Sequence, residues 1–383
     1  MSIQIKPVSN RNELKEFIYL PERLHRHHAK WVPPLYLEER QFFSPGKNSA
    51  FSYGDTVMAI AVQNDHCVGR IMGIINKKHN ELAREKTARF GYLECTDEQA
   101  VAHTLLDYVE SWSRQKGMNR IVGPMGFTDQ DPEGFLVEGF EHEAAIATYY
   151  NFAYVAEFLQ TKGYHKEVDY VVYLLKVPEK LPDLYKKIFH RITRRGEFKL
   201  VNFAKRRALQ PFILPIIKLM NELYADFYGY IPLSDEEAMT LARRYLPLLD
   251  PRFVKVVTKD DQVVAFVIGM PNINEGIRRA QGRLFPFGIF KIWRAAKTAE
   301  RLDLLLGGIK APYRGRGLNV LMGTAMLESA HQAGFKYIDS HNTLETNAPF
   351  RAEMDRWGGA VYKRYRIFRK QLNQAEIFNP PKQ

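Results

Sequence analysis

An apolar strand, Leu302–Ala311, runs without a break into Pro312-Tyr313-Arg314-Gly315-Arg316-Gly317, and from there into an apolar-striped helix over Leu318–Ala333. Strand, glycine-rich turn and helix in that order bring free backbone N–H groups and a helix N-terminus to one point. Glycines let the main chain come close to a ligand, and Arg314 and Arg316 add fixed positive charge. A bare Arg-Gly-Arg-Gly also reads as a turn with solvated arginines. The strand before it and the helix after it favour an anion site.

The rest of the chain runs through one order of elements twice. In the first half the pattern predicts strands at Ile3–Val8, Phe90–Glu94, Arg120–Gly123 and Val168–Val177, and a hairpin from Asp55–Gln63 and Cys67–Asn76. Helices fall at Asn12–Leu24, Glu98–Lys116 and Asn151–Lys162, the last two stopped by Gly117 and Gly163. The second half gives strands at Phe198–Phe203, Lys336–His341 and Val361–Arg369, and a hairpin from Phe253–Thr258 and Gln262–Met270. Its further helices fall at Phe212–Phe227, Asp235–Leu246 and Thr346–Trp357. The fold class expected is mixed α/β with α+β character. Two tandem domains, 1–180 and 181–383, each build a central, mostly antiparallel sheet flanked by helices, and the second carries an insertion at about 271–301.

Lys and Arg number 55 against 43 Asp and Glu, a net charge of +12 that favours an anionic partner without choosing a phosphorylated cofactor, a membrane surface or nucleic acid. Much of the surplus lies in Lys186–Arg207, where Glu197 is the single acid. An apolar fraction of 45% excludes disorder as the main state. Cys67 and Cys95 cannot build a disulfide framework, and neither sits in a C-x-x-C pair. His25, His27 and His28 lack helical i, i+4 spacing, so no metal is expected. No apolar run reaches the ~20 residues that span a bilayer. The N-terminus has no signal-peptide core, so a cytoplasmic protein is expected, with peripheral contact at the inner face of the membrane as an option.

The segment Pro312–Gly317 resembles the acyl-CoA pyrophosphate loop of the GNAT (Gcn5-related) acyltransferases, and the likeness extends over 198–369. Arg314 and Gly317 fill the first and fourth places of Arg/Gln-x-x-Gly-x-Gly/Ala. Asn319 at the sixth departs from it. The resemblance implies a co-substrate, acetyl-CoA or a longer acyl-CoA, with its pantetheine arm along Gly307–Ala311. Its binding residues would be Gly308, Ile309, Lys310, Arg314, Gly315, Arg316, Gly317, Asn319 and Asn347. The first half resembles the same fold, but Thr96-Asp97-Glu98 puts acids where the loop should be, so it is expected to bind no CoA. One live and one degenerate copy is the plan of N-myristoyltransferases, mycothiol synthases and Fem-type aminoacyltransferases. Over the whole chain the resemblance is to bacterial GNAT-like proteins that include the ceramide synthases.

Acyl transfer to an amine needs a base and an acid. Many GNAT proteins place the acid, a Tyr, where this chain has Met354. Tyr362 and Tyr365 are the nearby substitutes, with Tyr362 taken as catalytic, and His341 and Glu345 are the candidate bases. The long loop Gly123–Phe140 offers Asp131, Glu133 and Glu138 for an acceptor ammonium. Within the insertion, Lys291, Arg294, Lys297 and Arg301 share one helical face, and Ile289, Ile292, Trp293 and Ala296 the other. Such a helix lies on an anionic membrane, caps an apolar tunnel, or packs as a lid on its own domain. Phe287 and Trp293 are its candidate acceptor contacts. The function expected is an acyl-CoA-dependent N-acyltransferase acting on an amine, a long-chain base among them, with no nucleic acid bound. The alternatives are a Fem-type transferase using aminoacyl-tRNA and a non-catalytic acyl-CoA-binding protein.

Overall fold

The structure, a computed structural model, describes residues 2–144, 148–247 and 249–373. Fourteen strands form one sheet. In the first half they are β1 (Gln4–Pro7), β2 (Gly54–Gln63), β3 (His66–Asn76), β4 (Thr87–Cys95), β5 (Arg120–Gly123), β6 (Phe135–Glu138) and β7 (His165–Lys176). The second half supplies β8 (Lys199–Asn202), β9 (Val254–Lys259), β10 (Gln262–Pro271), β11 (Arg301–Ile309), β12 (Tyr337–Asp339), β13 (Thr343–Leu344) and β14 (Ala360–Gln371). The expected class holds: among the described residues only β4–β5 and β11–β12 pair in parallel, and the other ladders are antiparallel.

Both predicted hairpins form, and they close alike. Asn64-Asp65 joins β2 to β3 and Asp260-Asp261 joins β9 to β10, all four residues at positive φ. Two central residues in the left-handed region make the turn whose twist matches the strands, and Asn and Asp tolerate that region best after glycine.

The strand order is β1-β2-β3-β4-β5-β14-β7-β12-β11-β10-β9-β8. The halves have exchanged their last strands. β14 lies against β5 of the first half, and β7 lies against β12 of the second. Each is twelve residues long, and the two pair from Ala360↔Leu174 to Arg369↔His165. One sheet runs unbroken across the division expected at 180. A shared core of Val122, Met125, Leu136, Tyr170, Val172, Tyr365 and Ile367 sits at this seam. Tyr365 and Ile367 are fully buried there, and burial of an aliphatic side chain such as that of Ile367 contributes about 1.5–3 kcal/mol. Separate cores lie on either side, one under the helix Gln99–Gln115 and others under the helix Leu318–Gln332.

The insertion holds two helices, Asn274–Ala280 and Gly288–Thr298; the second is the one expected, but Arg301, placed on its basic face, opens β11 instead. The first part of the basic stretch Lys186–Arg207 folds in a helix, Asp183–Arg195, which composition alone did not suggest, and the rest runs on through β8. No helix among the described residues is long and apolar enough to cross a membrane.

Candidate functional site

β11 and β12 share three rungs, Arg301↔Tyr337, Leu302↔Ile338 and Asp303↔Asp339, and then part. An extra residue, Leu305, interrupts the β10–β11 register just past the last rung. A bulge at that point bends its strand, which turns the end of β11 away from β12. The residues 304–309 therefore present an open edge. On that edge the Tyr224 hydroxyl donates to the Gly307 carbonyl (2.9 Å) and accepts from the Gly307 amide (3.1 Å).

The loop after β11 leaves its amides free. Among the described residues no acceptor takes the N–H groups of Gly315, Arg316 or Gly317, while the Arg314 amide bonds to Ala311. Gly315 and Gly317 hold φ of +74° and +83°. A Cβ at 317 would also lie 2.7 Å from Ile192, so the position excludes a side chain twice over. Gly317 caps the helix Leu318–Gln332, which adds its own free amides and dipole. Arg314 is exposed, its Nε donating to the Ile309 carbonyl (3.2 Å). Arg316 is committed to Glu197 (2.8 Å), which Lys259 also holds. Lys310 pairs with Glu222 at 3.4 Å. The helix Asp183–Arg195 packs Ile188 and Ile192 toward Gly317, and its Lys187, His190, Arg191, Arg194 and Arg195 line a basic concavity of about 620 Å³. Asn319 is half-buried in the first helical turn, and Asn347 is spent on a cap, its Oδ1 accepting from the Phe350 amide.

The first half has the same parting of strands, with β4 and β5 paired only from Thr87↔Arg120 to Arg89↔Val122. There the gap is filled by the chain itself. The Met125 amide bonds to the Phe90 carbonyl, and the Tyr92 amide donates to the Tyr149 hydroxyl. A Cβ on Gly91 would sit 2.6 Å from the Met125 carbonyl oxygen.

On the last rung that β11 and β12 share lies a buried cluster of charges. Asp303, Asp339 and Lys363 are fully buried. Asp303 accepts from Asn272 Nδ2 (2.8 Å) and Arg301 Nε (3.2 Å), and burial together with the neighbouring Asp339 pushes it up to about 7. Burial pushes Lys363 down. Tyr362 donates its hydroxyl proton to Asp339, and burial with that negative neighbour holds the phenol well above its ordinary value. The cluster escaped the sequence reading. Its signal was a single acid in each of two otherwise apolar runs, Leu302-Asp303-Leu304 and Tyr337-Ile338-Asp339.

His341 follows the cluster directly. It is half-buried at φ +56°, its amide fixed by Asp339 Oδ1 at 2.8 Å. Glu345, by contrast, is ion-paired with Lys166 and with Arg364 (3.2 Å), contacts that disfavour a role as base. Met354 is buried in the core.

The loop between β5 and β6 brings Asp129, Asp131 and Glu133 to the seam of the two halves. Glu133 is buried, and burial pushes it up to about 8 while it meets the Tyr170 hydroxyl. Asp129 is pushed up to about 7, again by burial first. Asp129 Oδ1, Gln130 Nε2 and Glu133 Oε2 have no partner. The charge of Asp129 bears on Tyr224 and Tyr230, so this loop of the first half faces the helix end that reaches Gly307. Asp131 is held locally by the Thr128 amide. Glu138 stands apart, paired with Arg364 at 3.2 Å. Phe287 and Trp293 are 69% and 57% exposed on the outer surface, remote in character from an enclosed acceptor pocket. Among the described residues no group of His, Cys, Asp or Glu is arranged to hold a metal ion.

No protein-family model matches the chain. A curated protein of Escherichia coli K12 named Protein YghO is 26% identical over 375 residues, 96% of this chain and 95% of its own length. The bacterial ceramide synthase of Caulobacter vibrioides is 26% identical over 377 residues, 97% of this chain and 98% of its own. A solved tandem GNAT protein from the clavulanic acid biosynthesis pathway superposes with a TM-score of 0.56 at 11% identity, covering 97% of this chain and 99% of its own. The fold is that of tandem GNAT proteins.

Proposed function

We propose that the chain transfers an acyl group from acyl-CoA to an amine, and that the amine belongs to a lipid such as a long-chain base. The observation that carries the first part is the run of uncommitted amides at 315–317, set at a helix N-terminus and continuous with the open edge at Gly307. A diphosphate is the ligand such a loop suits, and the helix Asp183–Arg195, whose Ile192 packs against Gly317, carries further positive charge. The Gly307 amide and carbonyl, met by a hydroxyl here, are the donor and acceptor that an amide-bearing arm requires. When bound, the thioester supplies an activated acyl carbon.

The chain's own residues divide the remaining work. Asp129 and Glu133, carried on the first-half loop at the seam, are the carboxyls assigned to the acceptor amine. Pushed up to about 8, Glu133 accepts a proton near neutral pH far better than an ordinary carboxylate. The proton the amine loses as the amide bond forms goes to the departing sulfur, while Tyr362, held protonated by burial and by Asp339, braces the rim where the strands part. His341, fixed beside Asp339, is the second titratable side chain on this rim. Support for a lipid amine comes from the whole-length similarity to a protein named bacterial ceramide synthase and from the aromatic ridge of the insertion.

The test is direct. Purified protein is melted with and without CoA, then incubated with palmitoyl-CoA and a long-chain amino alcohol while free thiol and amide product are measured. Stabilisation by CoA together with amide formation supports the reading, and Arg314→Ala should weaken both. No thermal shift with CoA or palmitoyl-CoA, and no thiol release with any amine, would discard it.

A further inference from the structure

The helix Gly288–Thr298 is held rigidly from one side. Its Ile292 is buried, and Gly276 of the preceding helix lets the two backbones approach so closely that a Cβ there would lie 2.5 Å from the Ile292 Cα. The opposite side is bare. Phe285, Phe287, Phe290 and Trp293 are 71%, 69%, 70% and 57% exposed. An anchored helix and the turn leading into it, which together spend four large rings on solvent, mark a contact surface rather than a packing accident.

Charge chooses the partner. From Gly276 to Ala299 there are six cations and no acid. Arg278, Arg279 and Arg283 are neutralised by Glu275, Glu143 and Glu22. Lys291, Arg294 and Lys297 have no carboxylate partner among the described residues, and Lys297 Nζ lies 3.7 Å from the centre of the Trp293 ring. Aromatic rings flanked by unpaired cations match the interface of an anionic bilayer, where rings sit at headgroup depth and each cation gains from the surface potential.

We propose that this ridge docks the protein on an anionic lipid surface. The inference stands apart from the acyl-transfer reading, because binding to a vesicle needs neither acyl-CoA nor turnover. The test is co-sedimentation of the full chain with vesicles of phosphatidylcholine alone and with 30% phosphatidylglycerol. Brominated lipid is added to read Trp293 quenching against Trp293→Phe. About tenfold or stronger partition into the anionic vesicles is expected, falling as salt rises. Phe287→Glu/Phe290→Glu should abolish it with melting temperature unchanged, and Arg294→Gln/Lys297→Gln should erase the anionic preference. Absence of wild-type binding overturns the proposal. So does equal binding by the Phe double variant, and so does a concentration-dependent dimer lost in that variant without any vesicle binding, which would assign the ridge to a second copy.

Discussion

One side chain, Tyr224, satisfies both the amide and the carbonyl of Gly307 on the open edge of β11. The hydroxyl thus makes the bonds that a ligand amide would make, and it must leave for such a ligand to lie there. Tyr224→Phe removes both bonds and should lower the stability of the free protein by about 1–2 kcal/mol. CoA should then bind about three- to tenfold more tightly, because its competitor has gone. Calorimetric titration of both proteins checks this. A loss of affinity in the variant would show that Tyr224 touches the ligand instead of giving way to it.

Gly315 and Gly317 both sit at positive φ, but only Gly317 faces a neighbour. Gly315→Ala should cost about 1 kcal/mol, the left-handed strain alone. Gly317→Ala adds a collision with Ile192 and should cost roughly 2–3 kcal/mol. Denaturant melts of the two variants measure the difference. Equal losses would mean that the helix Asp183–Arg195 yields freely at Ile192.

Elements governed by neighbours in sequence were legible. The two hairpins follow from alternating apolar runs around Asn64-Asp65 and Asp260-Asp261, and the loop at 314–317 follows from its glycines. What depends on distant pairing was not. Nothing local in Val361–Arg369 says that this strand crosses to β5, because its alternation suits either neighbour equally. Glu345 and Glu138 read as free acids until the fold brought Lys166 and Arg364 to them. Asp129 passed unnoticed beside Asp131 because a sequence shows acids but not which of them will be buried.

Glu133 has a folded-state pKa of about 8 against an ordinary 4.5, so the folded protein binds more protons than the unfolded one between those values. Stability therefore falls as pH rises from about 4.5 to 8, by as much as a few kcal/mol from this residue. Asp129, at about 7, acts in the same direction. Glu133→Gln should flatten much of this slope and raise stability at pH 8, while abolishing the rise of acyl transfer with pH. Urea unfolding at pH 5, 6.5 and 8 gives the slopes. An unchanged slope in the variant would place the titration elsewhere.

Lys363 is fully buried and its Nζ lies 3.8 Å from Asp339, which also takes the Tyr362 proton and the His341 amide. Removing one partner of such a pair strands the other in a low-dielectric site. Asp339→Asn should cost about 3–5 kcal/mol. Asp303→Asn should cost much less, because burial and the neighbouring Asp339 already push Asp303 up to about 7 and its Asn272 contact needs only an acceptor oxygen. If the penalty at 339 arises from an unpaired lysine, Lys363→Met in the Asp339→Asn background should restore most of it, since neither asparagine nor methionine carries a charge to desolvate. Urea titrations of the three variants decide the matter. Additive losses in the double variant would mean that Asp339 acts through Tyr362 and His341, and that the lysine is compensated by the Glu143 carbonyl it already contacts at 3.2 Å.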